Sequence, residues 1–339
     1  DCFMLDELVT AAQQRGIYLQ LCMLTRDVYM SALKDPASSA YAQAIDDAKK
    51  FFRYAVGRWG YATSVAAWEY WNEMDPGLPT DRFYSELGSY FEEIDPYRHL
   101  RTTSTWGPSA KDCRHPKLDI ADVHFYLRPP DYQRLRDEVD AVVDRTRWLR
   151  EQAPNKPAHL GEFGIANEKW LPTEEMKRSP ELVEMHHAFW SSALSGASST
   201  ALPWWWERLD QKNVYPLYRP VSAFVADVPW NGGEIKSVTA QASGLHVVGL
   251  QAGNRAWLWL LDPAAAWGKV VVAKQTPGEI TAKELTLSNL PPGKYHVTWW
   301  DTRRGIALEE TNASSNDGAL RVAAPQFTRD IACKIIPQE

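Results

Sequence analysis

The chain predicts a parallel α/β architecture followed by a small antiparallel β-sandwich. Three observations carry that expectation. Up to about residue 231, apolar runs of strand length alternate with segments whose apolar residues recur at three- and four-residue steps, and strands alternating with helices imply a parallel sheet. Beyond that point the helical period disappears, and short apolar runs are separated by turn signals, as in an antiparallel sandwich. The length of 339 residues fits about two domains. The expected division is 1–231 and 232–339, with the boundary at Trp230-Asn231-Gly232-Gly233.

The elements follow in order. Leu5, Leu8, Val9 and Ala12 form a helical stripe that runs into Gly16 and then the apolar strand 17–23. Ile45, Ala48, Phe52, Ala55 and Trp59 mark an amphipathic helix over 41–59. A strand over 65–73 ends in Trp71-Asn72-Glu73, and a helix near 81–94 precedes a strand near 100–105. The strand 118–126 follows, then a charged helix near 134–152 and the strand 157–162. A helix near 180–195 leads to a last strand, 200–206, carrying Trp204-Trp205-Trp206. In the second part, strands are expected at 245–250, 256–261, 269–272, 295–300 and 320–322. Ala252-Gly253-Asn254, Pro291-Pro292-Gly293 and Asn316-Asp317-Gly318 supply the turns between them.

Composition excludes some partners. A net charge of −6 offers no basic stripe to neutralise phosphates, so nucleic acid is not expected. No apolar stretch approaches the roughly 20 residues of a membrane helix, so no membrane partner is expected either. The four cysteines, Cys2, Cys22, Cys113 and Cys333, lack metal-ligand spacing, and their pairing cannot be deduced from sequence. No cofactor and no metal are expected. The sixteen tryptophans suit a core, and those at strand ends also suit the C–H face of a sugar ring.

Two carboxylates stand where an apolar strand gives way to a loop: Glu73, and Glu162 in Leu160-Gly161-Glu162-Phe163-Gly164. In a parallel α/β protein the ligand site lies at the carboxyl ends of the strands. Two carboxylates delivered there meet the requirement for cleaving a glycosidic bond. One protonates the leaving oxygen, and the other attacks the sugar carbon or activates water.

Trp71-Asn72-Glu73, His124-Phe125-Tyr126, Gly161-Glu162-Phe163-Gly164 and the tryptophan run at 204–206 have the order and spacing of a known pattern. With them, the first ~230 residues resemble a retaining glycoside hydrolase of the (β/α)8 clan with catalytic glutamates on strands four and seven. They are most similar to the cellulase/mannanase-type family five, including members that end in a small β-sandwich. The resemblance implies a TIM-type barrel, with Glu73 as general acid/base and Glu162 as nucleophile. It implies substrate contacts by Asn72, His124 and Tyr126, and a sugar platform on Trp204 or Trp206, which would share a strand face. Trp106 is an even choice between cleft wall and packing. Glu73 would have to stay protonated near neutral pH, and Glu162 ionised with help from Tyr126.

Only six strands precede the end of the tryptophan run, whereas the barrel needs eight. The first two strands are therefore expected to be absent from this chain, and a second polypeptide segment could supply them. The loop Leu24–Met30 lacks a histidine that many relatives carry, and Arg26, Asp27 and Tyr29 are candidates to replace that wall. The expected substrate is an oligo- or polysaccharide, and the expected location is secreted or periplasmic. The alternative is a catalytically silent carbohydrate-binding protein on the same barrel. A third class, another hydrolase chemistry, would need a metal cluster or a Gly-x-Ser-x-Gly elbow.

Bland readings compete at several positions. Glu69 shares strand parity with Glu73 and is expected to be a buried structural carboxylate paired with an arginine. Trp205 is expected to face outward to the helices. His186-His187 lie within a helix without a metal-ligand pattern, so zinc is not expected there.

Overall fold

The computed structural model describes residues 2–128, 137–179, 182–231 and 234–338. The protein is mixed α/β, with a set of short parallel strands and one large antiparallel sheet. It divides into two compact units: Asp1–Phe125 with Trp148–Gly161, and Tyr126–Arg147 with Glu162–Glu339.

In the first unit, β1 (Leu19–Leu24), β2 (Val65–Trp71) and β3 (Leu100–Thr102) run parallel in that order. Beyond β3 the strand thins to single contacts: Thr105 bridges to Met74, and its carbonyl accepts the His124 N–H at 3.2 Å. That last bond ties on β4 (Ala121–Leu127), which pairs with β5 (Ala158–Ile165). The helix Ser39–Trp59 starts where the Ser38 hydroxyl accepts the Tyr41 N–H at 3.1 Å, a cap typically worth about 1 kcal/mol. Its stripe of Tyr41, Ile45, Ala48, Phe52 and Trp59 is buried, together with Phe83, Leu87 and Phe91 of the helix Asp81–Ile94. Trp68 and Tyr70 of β2 complete this aromatic core. Each such side chain contributes roughly 1.5–3 kcal/mol by leaving water.

The second unit contains β6 (Ile235–Ser237), β7 (Thr239–Ala242), β8 (His246–Ala252), β9 (Arg255–Leu261), β10 (Glu279–Ile280), β11 (Glu284–Ser288), β12 (Gly293–Asp301), β13 (Ile306–Asn316), β14 (Ala319–Ala323), β15 (Phe327–Thr328) and β16 (Asp330–Pro337). Nine of them form one antiparallel sheet in the order β6-β8-β9-β16-β12-β13-β14-β11-β7. Leu258 and Leu260 of β9, third in that order, share a core with Ala242 of β7, which is ninth. This core lies on one face of the sheet. Its other face, through Trp257, Trp259 and Leu261, packs against the helices Val183–Ser195 and Tyr218–Val225.

Every residue of the helix Val183–Ser195 is buried, as expected of a helix covered on all sides. Its two histidines have partners within the same unit. His186 lies 2.7 Å from Asp330, and His187 lies 2.6 Å from Glu138. These two histidines hold the helix to its neighbours by hydrogen bonds.

Several expectations need correction. The run 200–206 is not a strand: a lone parallel bridge joins Phe163 to Pro203, and the helix Trp206–Gln211 then begins. Proline has no N–H for a ladder, so pairing rests on Phe163 N–H to Leu202 O at 2.7 Å and Trp204 N–H to Phe163 O at 3.0 Å. The parity argument for Trp204 and Trp206 lapses with the strand. Gly268–Val272 is a helical turn of the wide π type. The expected helix starts at 134 and 180 and the boundary glycines 232–233 lie outside the described residues. No helix among the described residues is long and apolar enough to cross a membrane. Among them no disulfide forms: Cys2 and Cys22 are at the surface, and Cys113 and Cys333 are buried.

Candidate active site

In the first unit the site is built around the end of β2. The strand stops at Trp71, Asn72 is exposed, and Glu73 takes a left-handed backbone conformation with φ of 56°. A residue with a Cβ pays about 1–3 kcal/mol for such a conformation. The surroundings hold it there at three points. The Glu73 N–H donates to the Ser104 hydroxyl at 2.9 Å. Arg26 Nη1 donates both to the Glu73 carbonyl at 3.0 Å and to its Oε2 at 2.9 Å. His124 Nδ1 lies 3.4 Å from Oε1. The Arg26 guanidinium in turn sits 5.5 Å from the ring centre of Trp106.

These contacts decide the charge on Glu73. The hydrogen bond from His124, outweighing partial burial and aided by the charges of His124 and Arg26, holds the carboxyl below its ordinary value. This is the opposite of the carboxyl, protonated near neutral pH, that a general acid at this position would need. The contacts of His124 and Arg26 with this carboxylate are not legible in the sequence.

Beneath Glu73 lies a buried polar network. Glu69 accepts from the Ser104 hydroxyl at 2.7 Å and from Gln20 Nε2 at 3.0 Å; these take the place of the expected arginine. Gln20 also reaches Asp122 at 3.2 Å. Asp122 accepts the Gly161 N–H at 3.0 Å and faces His159 Nδ1 at 3.4 Å. Burial raises the Glu69 carboxyl, and the Asp122 charge adds to the rise. Burial opposes the charge on Asp122 as well, but His159 overcomes it and leaves that carboxyl lowered. Gly161 is where it is because a Cβ there would lie 2.6 Å from Asp122 Oδ1 and 2.9 Å from His124 Nε2.

In the second unit, Glu162 is buried and accepts a short hydrogen bond from the Tyr126 hydroxyl. It lies within β5, which continues to Ile165, so the strand does not end at this carboxylate as expected. Trp205 is only 9% exposed; its ring lies 5.6 Å from that of Tyr126 and against Gly164. Trp204 and Trp206 are 43% and 65% exposed. Trp205, expected to face outward to the helices, is thus the member of the run that packs on Tyr126. Trp170 escaped the sequence argument. It is 55% exposed, has φ of 62°, stands edge-on to Tyr126 at 6.1 Å, and carries the Arg128 guanidinium 4.1 Å from its ring centre. An isolated tryptophan in the loop after β5 was the available signal.

Asn72, His124 and Trp106 thus fall in the first unit with Glu73, and Tyr126, Trp204 and Trp206 in the second with Glu162. The class so defined is a mixed α/β protein whose parallel strands present carboxylates in polar, aromatic surroundings.

No family model and no curated protein matches this chain. Its architecture is similar to that of solved structures. One is a glycoside hydrolase family 5 protein from Bacteroides vulgatus ATCC 8482, 11% identical with a TM-score of 0.63 over 98% of this chain and 74% of that one. Another, described as a glycoside hydrolase, is 11% identical with a TM-score of 0.59 over 98% of this chain and 76% of that one. At such identity the likeness is one of fold.

Proposed function

We propose that the chain is a retaining glycoside hydrolase acting on β-linked glycosides or polysaccharides, built on a family-five-like (β/α)8 barrel over 1–231 with a β-sandwich over 232–339. The observation that carries this is the strand β4. It bears His124, within 3.4 Å of the Glu73 carboxylate, and two residues later Tyr126, whose hydroxyl donates to Glu162. One strand thus supplies a partner to each of the two carboxylates that the chemistry needs.

In the proposed reaction, the Glu162 carboxylate attacks the anomeric carbon. The bond to the leaving oxygen breaks as Glu73 gives that oxygen its proton. The resulting glycosyl ester on Glu162 is then hydrolysed. Glu73, now a carboxylate, takes a proton from water, whose oxygen displaces Glu162 and restores both groups. Asn72, Trp106, Trp204 and Trp206 are assigned to the sugar, with Tyr126 steadying the nucleophile. The substrate would be an oligo- or polysaccharide and the setting secreted or periplasmic.

Glu73→Gln should lower hydrolysis of phenyl glycosides by about 10²–10⁴-fold, the usual worth of a general acid–base. Glu162→Gln should abolish hydrolysis of every aryl glycoside. Azide should rescue Glu162→Ala with inverted product. Full activity in either Gln variant would sink the assignment. A second reading, a silent glycan-binding protein, is favoured by the contacts of His124 and Arg26, which lower the Glu73 carboxyl and so disfavour the protonated form that a general acid needs. It predicts sugar binding by calorimetry with no hydrolysis of 2,4-dinitrophenyl glycosides.

A further inference from the structure

We infer that Glu69 and Ser104 are positioning residues that hold Glu73 in its left-handed conformation, and so set where its carboxyl points. The inference rests on the glycosidase reading and deepens it. It starts from the Ser104 hydroxyl, which has one proton to give and lone pairs to offer. The proton goes to Glu69 Oε1 at 2.7 Å, and a lone pair receives the Glu73 N–H at 2.9 Å. A second acceptor competes for that proton, the Trp71 carbonyl at 3.3 Å. With Glu69 present the hydroxyl is committed, and its lone pair stays aimed at Glu73. Without Glu69 the hydroxyl turns to Trp71, and the hold on Glu73 weakens. Gln20 fixes the far oxygen of Glu69 at 3.0 Å, so the carboxyl cannot swing away.

The burial of Glu69 supports the same conclusion. Placing a carboxyl in the interior costs free energy unless its hydrogen bonds are met, and an apolar residue at this position on β2 would serve packing alone. Glu69 lies four residues before Glu73 on the same strand. It reaches no part of the Glu73 side chain in any hydrogen bond; its path is the Ser104 hydroxyl to the Glu73 backbone. Release of that backbone to negative φ would move the Glu73 carboxyl off both Arg26 and His124.

The test compares leaving groups. The proton from Glu73 matters for phenyl β-cellobioside and far less for 2,4-dinitrophenyl β-cellobioside, whose leaving group departs unaided; β-xylobiosides and β-mannobiosides are run alongside. kcat/KM reports the step in which that group leaves. Glu69→Ala and Ser104→Ala should lower kcat/KM on the phenyl substrate about 10- to 100-fold more than on the dinitrophenyl one, the scale of loss for a misplaced group. Glu69→Gln, which keeps an oxygen for Ser104, should restore most of it. Equal losses on both substrates, or no loss, would overturn the inference. If the unaltered protein hydrolyses none of these glycosides, the glycosidase reading fails. Crystal structures of Ser104→Ala and Glu69→Ala then decide the positioning role independently. A Glu73 φ turned negative supports it, and an unchanged left-handed Glu73 refutes it.

Discussion

At Glu73 the shift of the carboxyl has a definite sign: it is lowered. A general acid must be protonated, and a lowered pKa means that this form is lost as pH rises through the lowered value. The alkaline limb of kcat/KM, which reports the free protein, should therefore fall on the acidic side of an ordinary glutamate's. Arg26→Gln removes a cation and a donor from Oε2, so that limb should move to higher pH. A limb that stays in place would separate Arg26 from the titrating proton. The sequence pointed to Glu73, Glu162, His124 and Tyr126 because each sits at a strand position with a recognisable neighbour pattern. It placed Arg26 only loosely and missed Trp170, because loop residues reach a site through loop conformation, which has no period to read.

Among the elements, β4 and β5 approach each other so closely at Gly161 that a side chain there would not fit. Gly161→Ala would drive a Cβ against Asp122 and His124, and overpacking of this kind costs about 1–3 kcal/mol. Chemical denaturation should register that loss, along with lower activity; a variant of unchanged stability would show that the network can yield. Elements with strong periodicity were legible: the helix expected near 81–94 spans Asp81–Ile94. Two apolar runs were not. At 200–206 a proline and a helix start interrupt pairing. At 269–272 a valine run that reads locally as strand is instead wound into a turn, next to a Trp267 N–H held by Glu138 at 2.9 Å. Both are cases of tertiary contacts overriding propensity.

On the scale of the whole molecule, stability should depend on charges sealed inside the second unit. Both Glu184 oxygens are buried without a hydrogen-bond partner among the described residues, and burial pushes the carboxyl up to about 7. Its pKa is higher folded than unfolded, so the folded state binds more protons at intermediate pH. Stability is then lost as pH rises from the ordinary glutamate value through about 7. The loss amounts to something on the order of 3 kcal/mol. Urea unfolding of Glu184→Gln from pH 5 to pH 9 should lack that component, and an unchanged pH slope would refute the role. The strand–helix alternation and the later antiparallel pattern were legible across the chain. The cut into units was not, because it passes through β4 and β5 between Phe125 and Tyr126 and between Gly161 and Glu162. Composition does not change at either point.

The left-handed turn at Glu73 sets two demands on this position against each other. Glycine adopts that conformation without steric cost, so a heat-resistance screen blind to chemistry would favour exchanging the glutamate for glycine. Durability and the proposed turnover would therefore pull on residue 73 in opposite directions.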